Sequence, residues 1–131
     1  MTVSKLVYWI ARLVAAIIML QTLYFKFTAA PESVYIFTTV GMEPWGRIGV
    51  GMLEAVASLL LLFTPTAWLG AGLALGLMAG AIGMHITLLG IEVQGDGGYL
   101  FALAMAVALC SAVVLWIDQQ KVQTLIEKFK R

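Results

Sequence analysis

The chain has 131 residues, of which 62% are hydrophobic and only 11% charged, and its net charge is +1. A soluble domain is usually about half apolar and about a quarter charged. This chain therefore carries too little polar surface for a soluble globule and too much apolar content for disorder. Eight Lys+Arg against seven Asp+Glu argue against a nucleic-acid partner. A single cysteine, Cys110, excludes dithiol chemistry through a CxxC pair. A single histidine with no Cys/His cluster argues against a structural zinc site, or a bis-His haem within one chain. These totals predict an all-α fold: a polytopic membrane protein built as a four-transmembrane-helix bundle in one domain, residues 1–131.

A bilayer core needs about 20 apolar residues per helix, and four segments qualify. The first spans about 6–27. Residues 1–30 also have traits of a secretory signal: Lys5 and Arg12, an apolar stretch, then the small residues Thr28, Ala29 and Ala30. Pro31 is a poor residue to cleave before, so the segment reads as an uncleaved first span. Residues 31–40 predict a short helix, with Pro31 in its first turn, Glu32 and Ser33 following, and Gly41 as its stop. Val34, Tyr35, Phe37 and Val40 make it apolar enough for the membrane interface, and Trp45 suits the headgroup level.

The second span covers about 47–63 and the third about 68–90. Between Ala55 and Ile91 there is no Lys, Arg, Asp or Glu, a stretch too long for one span. Thr64-Pro65-Thr66 divides it into a tight helical hairpin, because proline ends a helix and biases the preceding residue away from it. Residues 91–98 read as a flexible acidic loop. The fourth span covers about 99–117. In the tail, 118–131, Val122, Leu125, Ile126 and Phe129 recur at helical spacing. Lys121, Lys128, Lys130 and Arg131 occupy its other faces. Either this is an amphipathic helix on an anionic membrane surface or it is a solvated tail. With both termini on one side, Lys5, Arg12, Lys121, Lys128, Lys130 and Arg131 stand against Lys26 and Arg47. That bias places both termini in the cytoplasm of a multi-pass cell-membrane protein.

Ionisable side chains inside a membrane cost about 2.5–3.5 kcal/mol on insertion scales and are functional candidates by default. Glu54 lies two turns, ~10 Å, beyond Arg47. It is either a titrating or ligand-binding carboxylate or half of a structural ion pair. Gly51 and Ser58 share its face, which lets a neighbouring helix come close. Lys26 shares a face of the first helix with Arg12, Ala15, Met19 and Thr22. It either snorkels to the interface or turns inward and neutralises Glu54, with Arg47 as the alternative cation. His85 sits at a depth similar to Glu54 and is suited to proton transfer or to hydrogen bonding a ligand or a neighbouring helix. Lys26, Glu54 and His85 come from three helices and fall in the same outer half-leaflet, with Arg47 above them.

Gly72, Gly76 and Gly80 form a stripe that predicts close helix packing, inside the bundle or across a dimer. Ala104, Ala108 and Ala112 repeat the pattern on the fourth span. Cys110 reads as a small packing residue. Tyr8, Trp9, Trp68, Tyr99 and Trp116 read as an interfacial aromatic belt.

The segment Arg47-Ile-Gly-Val-Gly-Met-Leu-Glu54, the Leu59–Leu62 run, the Pro65 hairpin and Met78-Ala-Gly-Ala-Ile-Gly-Met-His85 resemble the DoxX-like family. Lys26 sits where that family often closes its first helix with a lysine, although Tyr24 and Phe25 replace the glycine often found before it. The resemblance covers about residues 10–115. It implies a four-helix membrane bundle in which Lys26, Glu54 and His85 line a polar site in the outer half. Relatives include subunits linked to quinone-dependent sulfur oxidation, partners in oxidative-stress complexes and membrane chaperones. The expectation is a non-enzymatic accessory or binding protein. It would hold a lipid-like or quinone-like ligand, or a protein partner, within the lipid bilayer, as a single chain or a homo-oligomer. The alternatives are a membrane subunit of a quinone-linked oxidoreductase and a small proton-coupled transporter. The transporter reading is weakened because the first helix carries no carboxylate.

Overall fold

The computed structural model describes residues 2–130 and is all-helical, with no strand among them. Six α-helices follow one another: α1 (Val3–Phe27), α2 (Pro31–Thr39), α3 (Trp45–Leu62), α4 (Ala67–Met84), α5 (Tyr99–Ile117) and α6 (Gln119–Lys130). A 3₁₀ turn, Thr64–Thr66, joins α3 to α4, and a π turn, His85–Leu89, continues α4. The four segments Val3–Phe27, Trp45–Leu62, Thr64–Leu89 and Tyr99–Ile117 are long and apolar enough to cross a membrane.

Local chemistry sets the helix ends. Thr2 caps α1 by accepting the Lys5 N–H through its hydroxyl. Pro31 occupies the first turn of α2, where its missing N–H costs nothing. Gly41, with φ +78°, turns the chain out of α2. The 91–98 loop, expected to be flexible, is organised around Asp96. Its carboxylate accepts the N–H groups of Val93, Gly98 and Leu100 at 3.0, 2.8 and 3.2 Å. Burial alone would raise the Asp96 pKa, but these backbone donors outweigh it and hold the carboxyl below its ordinary value.

The spans form a closed square. α1 packs on α3 and α5, and α4 packs on the same two helices from the opposite corner. Small side chains fill the middle: Ala11, Ala15, Ala16, Ala57, Ala67, Ala71, Ala74 and Ala104 are all buried, with Met19, Leu61, Val107 and Val114 between them. Lipid-facing helices gain little from burying large apolar groups against one another, so close backbone approach does the work. Large apolar residues such as Leu59, Ile86, Leu109 and Trp116 accordingly point outward.

The glycine stripe does not make the helix contact expected of it. A Cβ at Gly72, Gly76 or Gly80 would meet nothing within 4 Å. The close approach is at Gly70, where a Cβ would lie 2.7 Å from both the Ala57 carbonyl oxygen and the Leu61 nitrogen. The α4 contact face is Ala67, Gly70, Ala71, Ala74 and Met78, and the stripe Gly72–Gly76–Gly80 sits roughly opposite at 100° per residue. Gly70→Ala should therefore force α3 and α4 apart and cost about 1–3 kcal/mol, the usual cost of overpacking. Gly72→Ala should be neutral or slightly stabilising, because alanine gains up to about 1 kcal/mol over glycine in a helix. Thermal unfolding of both variants in detergent checks this, and equal stability of the two would place the α3–α4 contact elsewhere.

At the end of the bundle that carries both termini, Arg12 is fully buried and not an interfacial flanking charge. Its Nε donates to the Leu61 carbonyl at 2.7 Å and its Nη1 to Thr64 Oγ1 at 3.1 Å. In a continuous helix Leu61 would accept from the residue four positions on, which is Pro65 and has no N–H. The neighbouring Leu60 carbonyl is taken by the Thr66 hydroxyl at 3.0 Å. The Arg12 side chain thus replaces the one backbone donor that the proline removes, and the Thr66 hydroxyl serves the next carbonyl where the helix breaks. Tyr8 is also buried, not part of an exposed belt, and its hydroxyl donates to Asp118 at 2.6 Å where α5 ends. Beyond it, α6 carries Val122, Leu125, Ile126 and Phe129 with Lys121, Lys128 and Lys130; Arg131 lies outside the described residues.

Candidate functional site

One face of α1 sets the centre of the molecule. Tyr8, Arg12, Ala15, Met19, Thr22 and Lys26 recur at three- and four-residue spacing, and all are buried or half-buried. At the end opposite the termini this stripe meets Glu54 of α3. Lys26 Nζ lies 2.7 Å from Glu54 Oε1, and the Glu54 side chain is 2% exposed. Thr22 Oγ1 lies 3.0 Å from Glu54 Oε2 and 3.0 Å from the Met19 carbonyl. A hydroxyl has one proton, and the carboxylate is the stronger acceptor. Lys26 therefore turns inward and does not snorkel away from the bundle. Gly51 makes room for this arrangement: a Cβ there would lie 2.7 Å from the Phe27 ring. Ser58, on the same face, donates to the Glu54 backbone carbonyl at 2.8 Å.

Arg47 is buried but is not the partner of Glu54. Its Nε is held by both Glu43 oxygens, at 2.8 and 3.0 Å, and its Nη1 donates to the Lys26 carbonyl. That carbonyl is among the last of α1, beyond the helical ladder, and also receives the Ala29 N–H at 3.4 Å. Arg47 thus closes the end of α1 and leaves Glu54 to Lys26. Four residues separate Arg47 from Glu43, one turn, whereas Glu54 lies two turns away in the other direction.

His85 begins the π turn and is 5% exposed. Its Nδ1 lies 3.0 Å from the Gly90 carbonyl oxygen, and its ring meets Phe101 edge to face with centroids 5.6 Å apart. The hydrogen-bonded proton of His85 therefore goes to Gly90 and not to Glu54.

Lys26, Glu54 and His85 all line one cleft of about 520 Å³ in the half of the bundle away from the termini. Its walls are mainly apolar side chains of α1, α4 and α5, including Met19, Leu77, Met84 and Leu103. Helix α2 crosses this end and contributes Ser33 and Phe37, both buried. Asp96 and Tyr99 form the edge nearest the loop. Gly76 and Gly80 line the cleft as well, so the stripe supplies open wall where a helix contact was expected. The volume falls within the range of small-molecule sites, ~300–1,000 Å³, and the mix of apolar wall and few polar groups is typical of them.

Several residues of this region escape reading from the chain alone. Thr22 shares the Lys26 stripe, and its position one turn before the lysine is the signal that finds it. Arg12 lies on that stripe too, which is the evidence that it turns inward. Asp96 carries the local signal of a short acidic side chain among glycines. Comparison of the chain with protein-family models, with curated proteins and with solved structures yields no match.

Proposed function

We propose that this chain is a DoxX-like integral membrane protein that binds an amphipathic, lipid-like or quinone-like molecule and catalyses no reaction on its own. The observation that carries the reading is the cleft: about 520 Å³, apolar along its walls, with the Lys26–Glu54 pair and His85 at one end. A molecule with an apolar tail and a small polar head complements both parts. The tail replaces lipid or water along the α4 and α5 walls, and the head finds Lys26 and His85. The sequence motifs around Glu54 and His85 support the family assignment.

Native mass spectrometry of the purified chain, released from a mild detergent, tests the reading. The expected spectrum shows the protein with one retained molecule of lipid or quinone mass. Gly80→Leu places a side chain on the cleft wall where a Cβ meets nothing, so it should fold and lose that molecule. A wild-type spectrum of bare protein under conditions that preserve other lipid complexes would overturn the proposal.

We place the chain in the cell membrane with both termini in the cytoplasm. Arg12 and Arg47 are both buried, so both drop out of the flanking count and leave five basic residues against one, still in the same sense. Glu92→Cys and Lys128→Cys should react with an impermeant thiol reagent from opposite sides of the membrane, and labelling of both from one side would overturn the topology.

A further inference from the structure

We propose that the cleft selects a head group carrying both a hydroxyl donor and an oxygen acceptor, with the hydroxyl donating to His85 Nε2 and the acceptor oxygen receiving an N–H from Lys26. This rests on the ligand-binding reading above and names the class of ligand.

The argument starts at His85. A carbonyl oxygen only accepts, so the 3.0 Å contact with Gly90 puts the proton on Nδ1. In a neutral imidazole Nε2 is then a bare acceptor. The backbone holds this arrangement in place. Gly90 has φ +80°, a conformation that favours glycine, and it closes the π turn so that its carbonyl meets the ring. The Phe101 edge contact fixes the ring plane. No group among the described residues meets Nε2, and His85 is 5% exposed on the cleft wall. Nε2 stays accessible, so a ligand that brings an O–H to it gains a hydrogen bond over one that does not.

Lys26 supplies the opposite chemistry. An ammonium has three donors and no acceptor. Its charge is paired with Glu54 at 2.7 Å, and Lys26 itself lines the cleft, so its donors call for an acceptor oxygen. Glu54 Oε2 accepts from Thr22, and Oε1 is paired with the Lys26 charge at 2.7 Å without a hydrogen bond among the described residues. An oxidised quinone offers acceptors only; it suits Lys26 and leaves Nε2 unfilled. Two sources share the required chemistry: a reduced isoprenoid quinone, and a monoacylglycerol-type lipid with hydroxyls beside an ester carbonyl.

Titration calorimetry on the detergent-solubilised full chain tests this with two matched pairs: a short-chain quinol kept reduced against its O-methyl ethers, and monoolein against its O-methyl ethers. In at least one pair the hydroxyl form should bind about tenfold more tightly than the ether, the scale of one buried hydrogen bond. The pair that discriminates identifies the source. In His85→Phe the ratio should fall to near one. A second measurement does not depend on that variant folding. The chain has one histidine, so [¹⁵N]histidine labelling gives a single imidazole by NMR. The expected spectrum shows Nδ1 protonated, with the Nε2 resonance moving on addition of the hydroxyl form and not the ether. An Nε2-protonated tautomer, or ethers that bind as well as hydroxyl forms, would overturn the assignment of class and leave the binding reading standing. Failure of all four probes to bind would remove both.

Discussion

Replacing Arg12 by methionine should lower the stability of the bundle by about 2–4 kcal/mol, among the largest effects of any single change outside the cleft. A hydrogen bond to a charged group contributes roughly 1.5–3 kcal/mol, and a buried group left unsatisfied costs about 1–3 kcal/mol. Arg12 supplies the Leu61 carbonyl and the Thr64 hydroxyl with donors, and its guanidinium carbon sits 3.9 Å from the centre of the Trp9 ring. A desolvated cation–π contact adds about 2 kcal/mol. Against this stands the cost of burying a cation, with Nη2 lacking a protein partner. The net sign follows from Pro65: without Arg12, the Leu61 carbonyl has no helical donor to return to. Arg12→Lys should fall between the two, because an ammonium keeps the charge and loses the planar fork. Lys5→Met, at an exposed position, serves as the control and should stay within about 0.5 kcal/mol. Thermal unfolding in detergent, followed by circular dichroism, measures all three. Arg12→Met melting with wild type would mean that the burial cost cancels the bonds.

The all-helical, four-span architecture was legible because length and apolarity settle it. A run such as 99–117, without a single charge, has few fates other than a membrane-length helix. The hairpin at Pro65 and the stop at Gly41 were legible from backbone chemistry alone. What packed against what was harder to read. Helix α4 is apolar and small on every side, so no amphipathic signal separates the Gly70–Ala74 face from the Gly72–Gly76–Gly80 face. The choice belongs to α3, whose Ala57 and Leu61 backbone comes within reach of Gly70 alone among the α4 glycines. Arg12 was misplaced for a related reason. An arginine near a helix end fits the flanking pattern, and the counter-signal is a missing donor 53 residues away, at Pro65. In the cleft, the Lys26 stripe was visible as spacing, whereas the competition between Lys26 and Arg47 for Glu54 turned on Glu43, which claims the arginine. The proton position on His85 depends on the φ of Gly90, which spacing does not contain.

Breaking the Lys26–Glu54 pair from either side should be costly, and removing both partners should cost less than the sum. Glu54 is 2% exposed and Lys26 16%, and their charged atoms lie 2.7 Å apart. Leaving one buried charge without its partner costs about 3–5 kcal/mol, whereas a pair replaced by apolar groups of similar size is often close to neutral. Lys26→Met strands the carboxylate, with only the Thr22 hydroxyl on Oε2. Glu54→Gln strands the ammonium, but Lys26 sits at the end of α1, where the last helical carbonyls favour a cation, and its partial exposure lets its stem move outward. The lysine change should therefore be the more damaging of the two near neutral pH, and the coupling in a double-mutant cycle should be at least about 1 kcal/mol. Arg47 tests the specificity of the pairing. Its fork is held by Glu43, so Glu43→Gln should leave the Lys26–Glu54 coupling unchanged while loosening the α1–α3 junction. The cycle is read from thermal unfolding of the four variants in detergent at neutral pH. Additive losses, with no coupling, would show that the two charges are solvated independently and that the pair does not hold α1 to α3.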